Sequence, residues 1–123
     1  MPSTGPILIV DDDLPLLENT AYMIETLGYE VVTANDGIKA VEVYKAAHPA
    51  LTLMDIKMPK LDGYGAFFKI KEFDPNAKII LITAYTLDEK KHLKAQSMSL
   101  LDTIEKPYDV ENLERIIHKF VDL

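Results

Sequence analysis

Five short apolar runs recur along the 123-residue chain: "PILIV" (6–10), "EVVTA" (30–34), "LTLM" (51–54), "KIILIT" (78–83) and "LDTIE" (101–105). Three of them are nearly continuous rather than alternating in polarity. A strand with one wet face alternates, whereas a strand covered on both faces does not need to. The runs therefore predict a parallel sheet with helices on both sides.

The segments between the runs carry helical spacing. Pro15 suits a helix start, and Leu17, Ala21, Ile24 and Leu27 then share one face, with Gly28 placed to cap the end. Asn35 is positioned to cap a second helix, whose Ala40, Val41 and Tyr44 point inward and which ends at His48-Pro49. A third follows Asp62-Gly63, with Phe67 and Ile70 inward, and stops near Asp74-Pro75. A fourth, over 87–98, has few apolar residues and should be loosely held. A fifth starts at Asp109 and carries Val110, Leu113, Ile117 and Phe120 on one stripe. Strict alternation of strand and helix predicts a doubly wound α/β domain covering residues 1–123. There is no internal repeat, low-complexity segment or linker.

Composition narrows the function. Hydrophobic residues make up 48% of the chain, enough for a core and too many for disorder. A net charge of −7 disfavours nucleic-acid binding, because phosphates are repelled. No apolar run is long enough to span a membrane, and "MPSTGP" does not resemble a signal peptide. The absence of cysteine removes disulfides and thiolate metal sites and suits a cytoplasmic location.

The position of the acids carries more than their number. Asp11, Asp12 and Asp13 follow the first strand directly, and Asp55 closes the third. Open parallel sheets bind ligands beyond the carboxyl ends of their strands, where the strand order reverses. In the flavodoxin-like order 2-1-3-4-5 the reversal falls between strands one and three, so Asp11, Asp12 and Asp55 share one crevice. Two carboxylates ~4 Å apart repel by about 4 kcal/mol at an effective dielectric of ~20. Either a proton or a cation must relieve that. Ligands that are all hard oxygen favour Mg²⁺ (or Mn²⁺) over zinc. Asp13 reads better as a solvated or helix-capping residue. The fourth strand ends in Thr83 and the fifth in Lys106-Pro107, adding a hydroxyl and an ammonium to the set. A carboxylate can attack a phosphoryl group, while a metal and a lysine neutralise the phosphoryl oxygens.

Through "ILIVDDD", "LMDIKMPKLDGYG", "IILITAY" and "EKPYD" the chain resembles the receiver domain of two-component response regulators, over essentially its full length. The resemblance implies Asp55 as phospho-acceptor, Asp12 as direct Mg²⁺ ligand, Asp11 as its acidic neighbour, and the Lys57 backbone carbonyl as a further metal contact. It implies Thr83 and Lys106 as phosphoryl-binding residues and a cis bond before Pro107. The phosphodonor would be a histidine kinase or a histidine phosphotransfer protein, and the output a switched protein contact.

The chain also departs from the family pattern. Thr103 stands where an aromatic switch is usual, three positions before Lys106; Tyr85 and Tyr108 are candidate substitutes that fit equally as surface tyrosines. Ser99-Leu100 replaces the usual Gly-Ala, so the end of helix four lacks the easy left-handed cap. Lys57 and Tyr85 flank the path of water to an acyl phosphate, and their bulk predicts a long-lived phosphoryl group. Leu14, Pro15, Pro107 and Tyr108 either dock a partner or pack locally. His48, His92 and His118 read as solvated helix residues. The chain's ends suit both a stand-alone receiver and a module cut from a larger regulator or hybrid kinase.

Two rivals share parts of the pattern. An aspartyl phosphatase needs a second acid two positions after its nucleophile, where this chain has Lys57, so turnover as an enzyme is not expected. An FMN-binding carrier needs a hydroxyl- and glycine-rich loop after the first strand, where this chain has "DDDLP".

Overall fold

Each buried strand sends alternate residues to opposite faces, and that alternation builds two cores. The computed structural model describes residues 5–84 and 88–121. Its strands are β1 (Ile7–Val10), β2 (Val31–Ala34), β3 (Leu51–Asp55), β4 (Ile79–Thr83) and β5 (Asp102–Glu105). They pair in parallel in the order β2-β1-β3-β4-β5, as expected. The helices are α1 (Leu14–Thr26), α2 (Gly37–Ala47), α3 (Gly63–Phe73), α4 (Glu89–Ser97) and α5 (Val110–Phe120). Leu8, Val10, Met54, Ile79 and Leu81 pack with Ala40, Tyr44, Tyr64, Phe67, Ile70 and Ala95 of α2, α3 and α4. Their alternates Ile7, Ile9, Leu51, Leu53, Ile80 and Ile82 pack with Leu17, Ile24, Leu113 and Ile117 of α1 and α5. β1, β3 and β4 are buried along their whole length, which is why their sequences do not alternate.

Aspartates start the helices. Asp13, Asp62, Asp88 and Asp109 each accept a backbone N–H from the first turn of α1, α3, α4 and α5. The cap of α2 is Asp36 rather than Asn35: Asp36 accepts the N–H of Lys39 at 2.8 Å and pairs with Lys60 at 3.5 Å. Asp36 suits the place because its carboxylate serves both partners at once. Gly28 follows α1 at φ +100°, and His48 ends α2 in the left-handed region.

Two further expectations change. Leu113, Ile116 and Ile117 form the buried stripe of α5, whereas Val110 is exposed and Phe120 half-buried at its ends. Ser99 takes φ +65° after α4 although it is not glycine, so the left-handed turn is made at a steric cost instead of being lost. α4 buries only Ala95.

Candidate functional site

The register of the sheet brings the acids together. Val10 pairs with Met54, so Asp11 and Asp55 leave β1 and β3 at the same level. The Asp11 amide donates to the Ala34 carbonyl at 3.2 Å, extending the β1–β2 ladder by one residue and holding the acid in place. Asp11 Oδ1 then accepts the Asp13 amide at 2.9 Å. On the other side, the Ile56 amide donates to the Ile82 carbonyl at 3.0 Å. Gly63 completes the support. An added Cβ there would collide with the Asp55 carbonyl oxygen, so only glycine lets α3 begin this close to the acid.

Carboxylate oxygens of Asp11, Asp12 and Asp55 all lie within 4.8 Å of one another. Asp11 and Asp55 are buried and Asp12 is exposed on the rim. The Lys106 amide donates to the Thr83 carbonyl at 2.8 Å, so β4 sets the position of the lysine. Lys106 Nζ reaches Asp11 Oδ2 at 3.1 Å and Asp55 Oδ1 at 3.4 Å. Burial raises Asp55 from 3.8 to about 6, and the charge of Asp11 adds to the rise while Lys106 opposes it. Burial pulls Lys106 down, but its hydrogen bonds and charge pairing with Asp11 and Asp55 win and raise it. The lysine therefore stays charged, and the acid cluster still holds more negative charge than Lys106 balances.

The residues fit a divalent cation. The donors are all hard oxygen, and three carboxylates converge on one place beside a single lysine. Asp11, Asp12 and Asp55 could hold such an ion.

These groups line an open crevice of about 650 Å³. Thr83, Lys57 and Ala84 line it too, so the hydroxyl and ammonium read from the sequence meet the acids there. Tyr85 lies outside the described residues. Lys106-Pro107 is cis, as the resemblance implied. Thr103 is half-buried on β5 and lines a different groove, with Arg115 and Lys119 of α5. Leu14, Pro15 and Pro107 are exposed, and none of them is among the residues that line the crevice. Tyr108 is not: it packs into the α1/α5 core, and its hydroxyl lies 2.9 Å from that of Thr20.

Sequence reasoning missed part of the lining. Asp62, Tyr64, Asp88 and Lys91 also face the crevice, from α3 and α4. In the sequence Asp62 marks only the turn before the third helix, and no spacing sets Tyr64, Asp88 or Lys91 apart. His92, expected in solvent, is half-buried, with Nδ1 3.0 Å from the Tyr64 hydroxyl.

The pattern for the response regulator receiver domain matches residues 7–118. The chain belongs to the response regulator receiver domain family. It is a receiver domain of two-component systems, with the flavodoxin-like strand order that the register shows. The receiver is 43% identical to the chemotaxis protein CheY of Treponema pallidum, over 89% of this chain and 78% of that protein. It is 33% identical to the probable transcriptional regulator ycf27 of Cyanophora paradoxa over 94% of its own length, but spans only 47% of that longer protein. Its backbone superposes on the receiver domain of a sensor histidine kinase of Pseudomonas aeruginosa PAO1 with a TM-score of 0.85 and 28% identity. That match covers 98% of this chain and 100% of the other, which was solved with magnesium coordinated in its active-site cleft. Among the described residues, no helix is long and apolar enough to cross a membrane.

Proposed function

We propose that this receiver accepts a phosphoryl group on Asp55 from a histidine kinase or a histidine phosphotransfer protein, in a Mg²⁺-dependent step. One observation carries the reading: the carboxylates of Asp11, Asp12 and Asp55 converge within 4.8 Å beside the Lys106 ammonium at the end of the sheet. Asp11, Asp12 and Asp55, with the Lys57 backbone carbonyl, would hold Mg²⁺ (or Mn²⁺). Bound there, the ion supplies charge neutralisation for the phosphoryl oxygens.

The chain's own residues do the rest. An Asp55 carboxylate oxygen forms the bond to phosphorus as the bond from phosphorus to the donor's imidazole nitrogen breaks, and the electron pair leaves on that nitrogen. The attacking form is the ionised one, so a value of about 6 leaves most Asp55 competent at neutral pH. Lys106 pairs with the transferred oxygens in place of the Asp55 oxygen it now holds. Thr83 donates its hydroxyl to another. Lys57, exposed at the mouth, shields the acyl phosphate from water. The exposed residues Leu14, Pro15 and Pro107 contact the donor protein, while Tyr108 packs into the α1/α5 core. The output is a contact with a protein target, which the likeness to a chemotaxis CheY supports.

Incubation with acetyl phosphate and MgCl₂, read by intact mass, tests this. The expected result is a gain of one phosphoryl group that chelator or Asp55→Asn abolishes. An equal gain in Asp55→Asn would overturn it.

A further inference from the structure

α4 is a poor hydrophobic partner for the rest of the domain. Of its residues Glu89–Ser97 only Ala95 is buried, and Leu93 is 65% exposed. Its attachment to α3 is polar and aromatic instead. Tyr64, 2% exposed, shares a hydrogen bond of 3.0 Å with His92 Nδ1, and the two rings meet edge to face at 6.0 Å. Lys91 Nζ pairs with Asp62 Oδ2 at 3.2 Å. Lys94 Nζ sits 4.4 Å from the centre of the Phe68 ring.

Three of these groups also line the crevice that holds Asp55: Asp62, Tyr64 and Lys91. Six aspartates and three lysines line it in all. Lys106 is already committed to Asp11 and Asp55. Lys91 is held only at the surface, with about half of its side chain exposed, and exposed ion pairs of this kind are weak. A phosphoryl group replaces the single carboxylate charge of Asp55 with about two, and spreads them over three oxygens that reach further into a crevice already acidic. Lys91 is the lining cation on α4, and a stronger anion competes directly with Asp62 for it. Burial, followed by the charges of Asp88 and Asp62, raises the Tyr64 phenol, so its hydroxyl keeps its proton and its bond to His92. Thr103 offers no ring on β5 through which the same news could travel.

We infer that α4 is latched to α3 by Tyr64–His92 and Asp62–Lys91, and that a phosphoryl group on Asp55 draws Lys91 off Asp62 and opens the latch. The inference rests on Asp55 as the acceptor. Hydrogen exchange of residues 89–97 tests it, with acetyl phosphate and Mg²⁺ added and intact mass read on the same sample. In the wild type, α4 exchange should rise about threefold or more with the mass gain, the factor that losing one ordinary hydrogen bond implies. Tyr64→Phe keeps the ring but loses the bond, so α4 should exchange fast before the donor is added, with the mass gain intact. His92→Gln, a change on a half-buried helix face, should do the same from the other side. Lys91→Met should take up the phosphoryl group without the rise. A mass gain with no change in wild-type α4, or a normal rise in Lys91→Met, overturns the latch alone. No mass gain in the wild type overturns the reading of Asp55, and the latch falls with it.

Discussion

Replacing Asp55 with asparagine should stabilise the folded receiver at neutral pH and leave it unchanged in acid. Asp55 is raised from 3.8 to about 6 by burial and by Asp11, against the pull of Lys106. A raised carboxylate favours folding in its protonated form. That contribution is fully present below pH ~4 and is lost as pH rises through ~6. A shift of roughly two units corresponds to ~3 kcal/mol. The crevice is open to solvent on one side, and screening there reduces the figure to ~1.5 kcal/mol. Asparagine keeps the shape without the charge. Over 123 residues, an unfolding entropy of about 2.1 cal/mol/K per residue turns ~1.5 kcal/mol into roughly 6 °C. Thermal unfolding of both proteins in EDTA, followed by circular dichroism from about pH 4 to about pH 7.5, measures the difference. The variant should melt higher at the top of that range and together with the wild type at the bottom. A gap that does not change with pH, or an asparagine variant that melts lower at neutral pH, would refute the argument that burial and the charge of Asp11 raise Asp55.

Three other outcomes follow from the same geometry. Millimolar MgCl₂ should raise the melting temperature of the wild type, by about 2.7 kcal/mol of stability at a hundred times Kd, and much less in Asp12→Ala; titration calorimetry gives the matching Kd. Lys106→Met removes the cation shared by Asp11 and Asp55, so the Asp55 carboxyl should titrate above 6 by NMR, and phosphorylation by acetyl phosphate should slow by about 100-fold. Ser99→Gly relieves a left-handed residue at φ +65° and should raise stability by about 1 kcal/mol in urea unfolding; a loss would mean that the serine side chain supports the turn.

How far the sequence could be read depended on the range of the interaction. The sheet was legible because burial on both faces writes itself as unbroken apolar runs, and Asp55 and Asp11 stood out because each ends such a run. The strand order was legible too, since the parallel fold family leaves few ways to bring those two acids to one crevice. The cap of α2 was misread by one residue. Asn35 and Asp36 are both good caps locally, and the approach of the Lys60 ammonium favours the aspartate. The α5 stripe erred at its ends for a similar reason: helical spacing names a face, but the core takes Leu113, Ile116, Ile117 and then Val121, and leaves Val110 exposed and Phe120 half-buried.

The sequence by itself determined the alternation of strand and helix, the two-sided burial of the sheet and the chemistry gathered at its carboxyl end. Those are properties of nearest neighbours and of spacing along one chain. The tertiary structure alone decided the charge state of that chemistry and what surrounds it. Asp55 is raised first because the packed end of the sheet buries it, and then because β1 and β3 run side by side in register, which sets Asp11 against it, 44 positions away in sequence. Tyr64 and His92 meet, and Lys91 faces the crevice, because α3 and α4 cross the same face of the sheet. Through-space distances set both effects, and no local pattern in the chain encodes them.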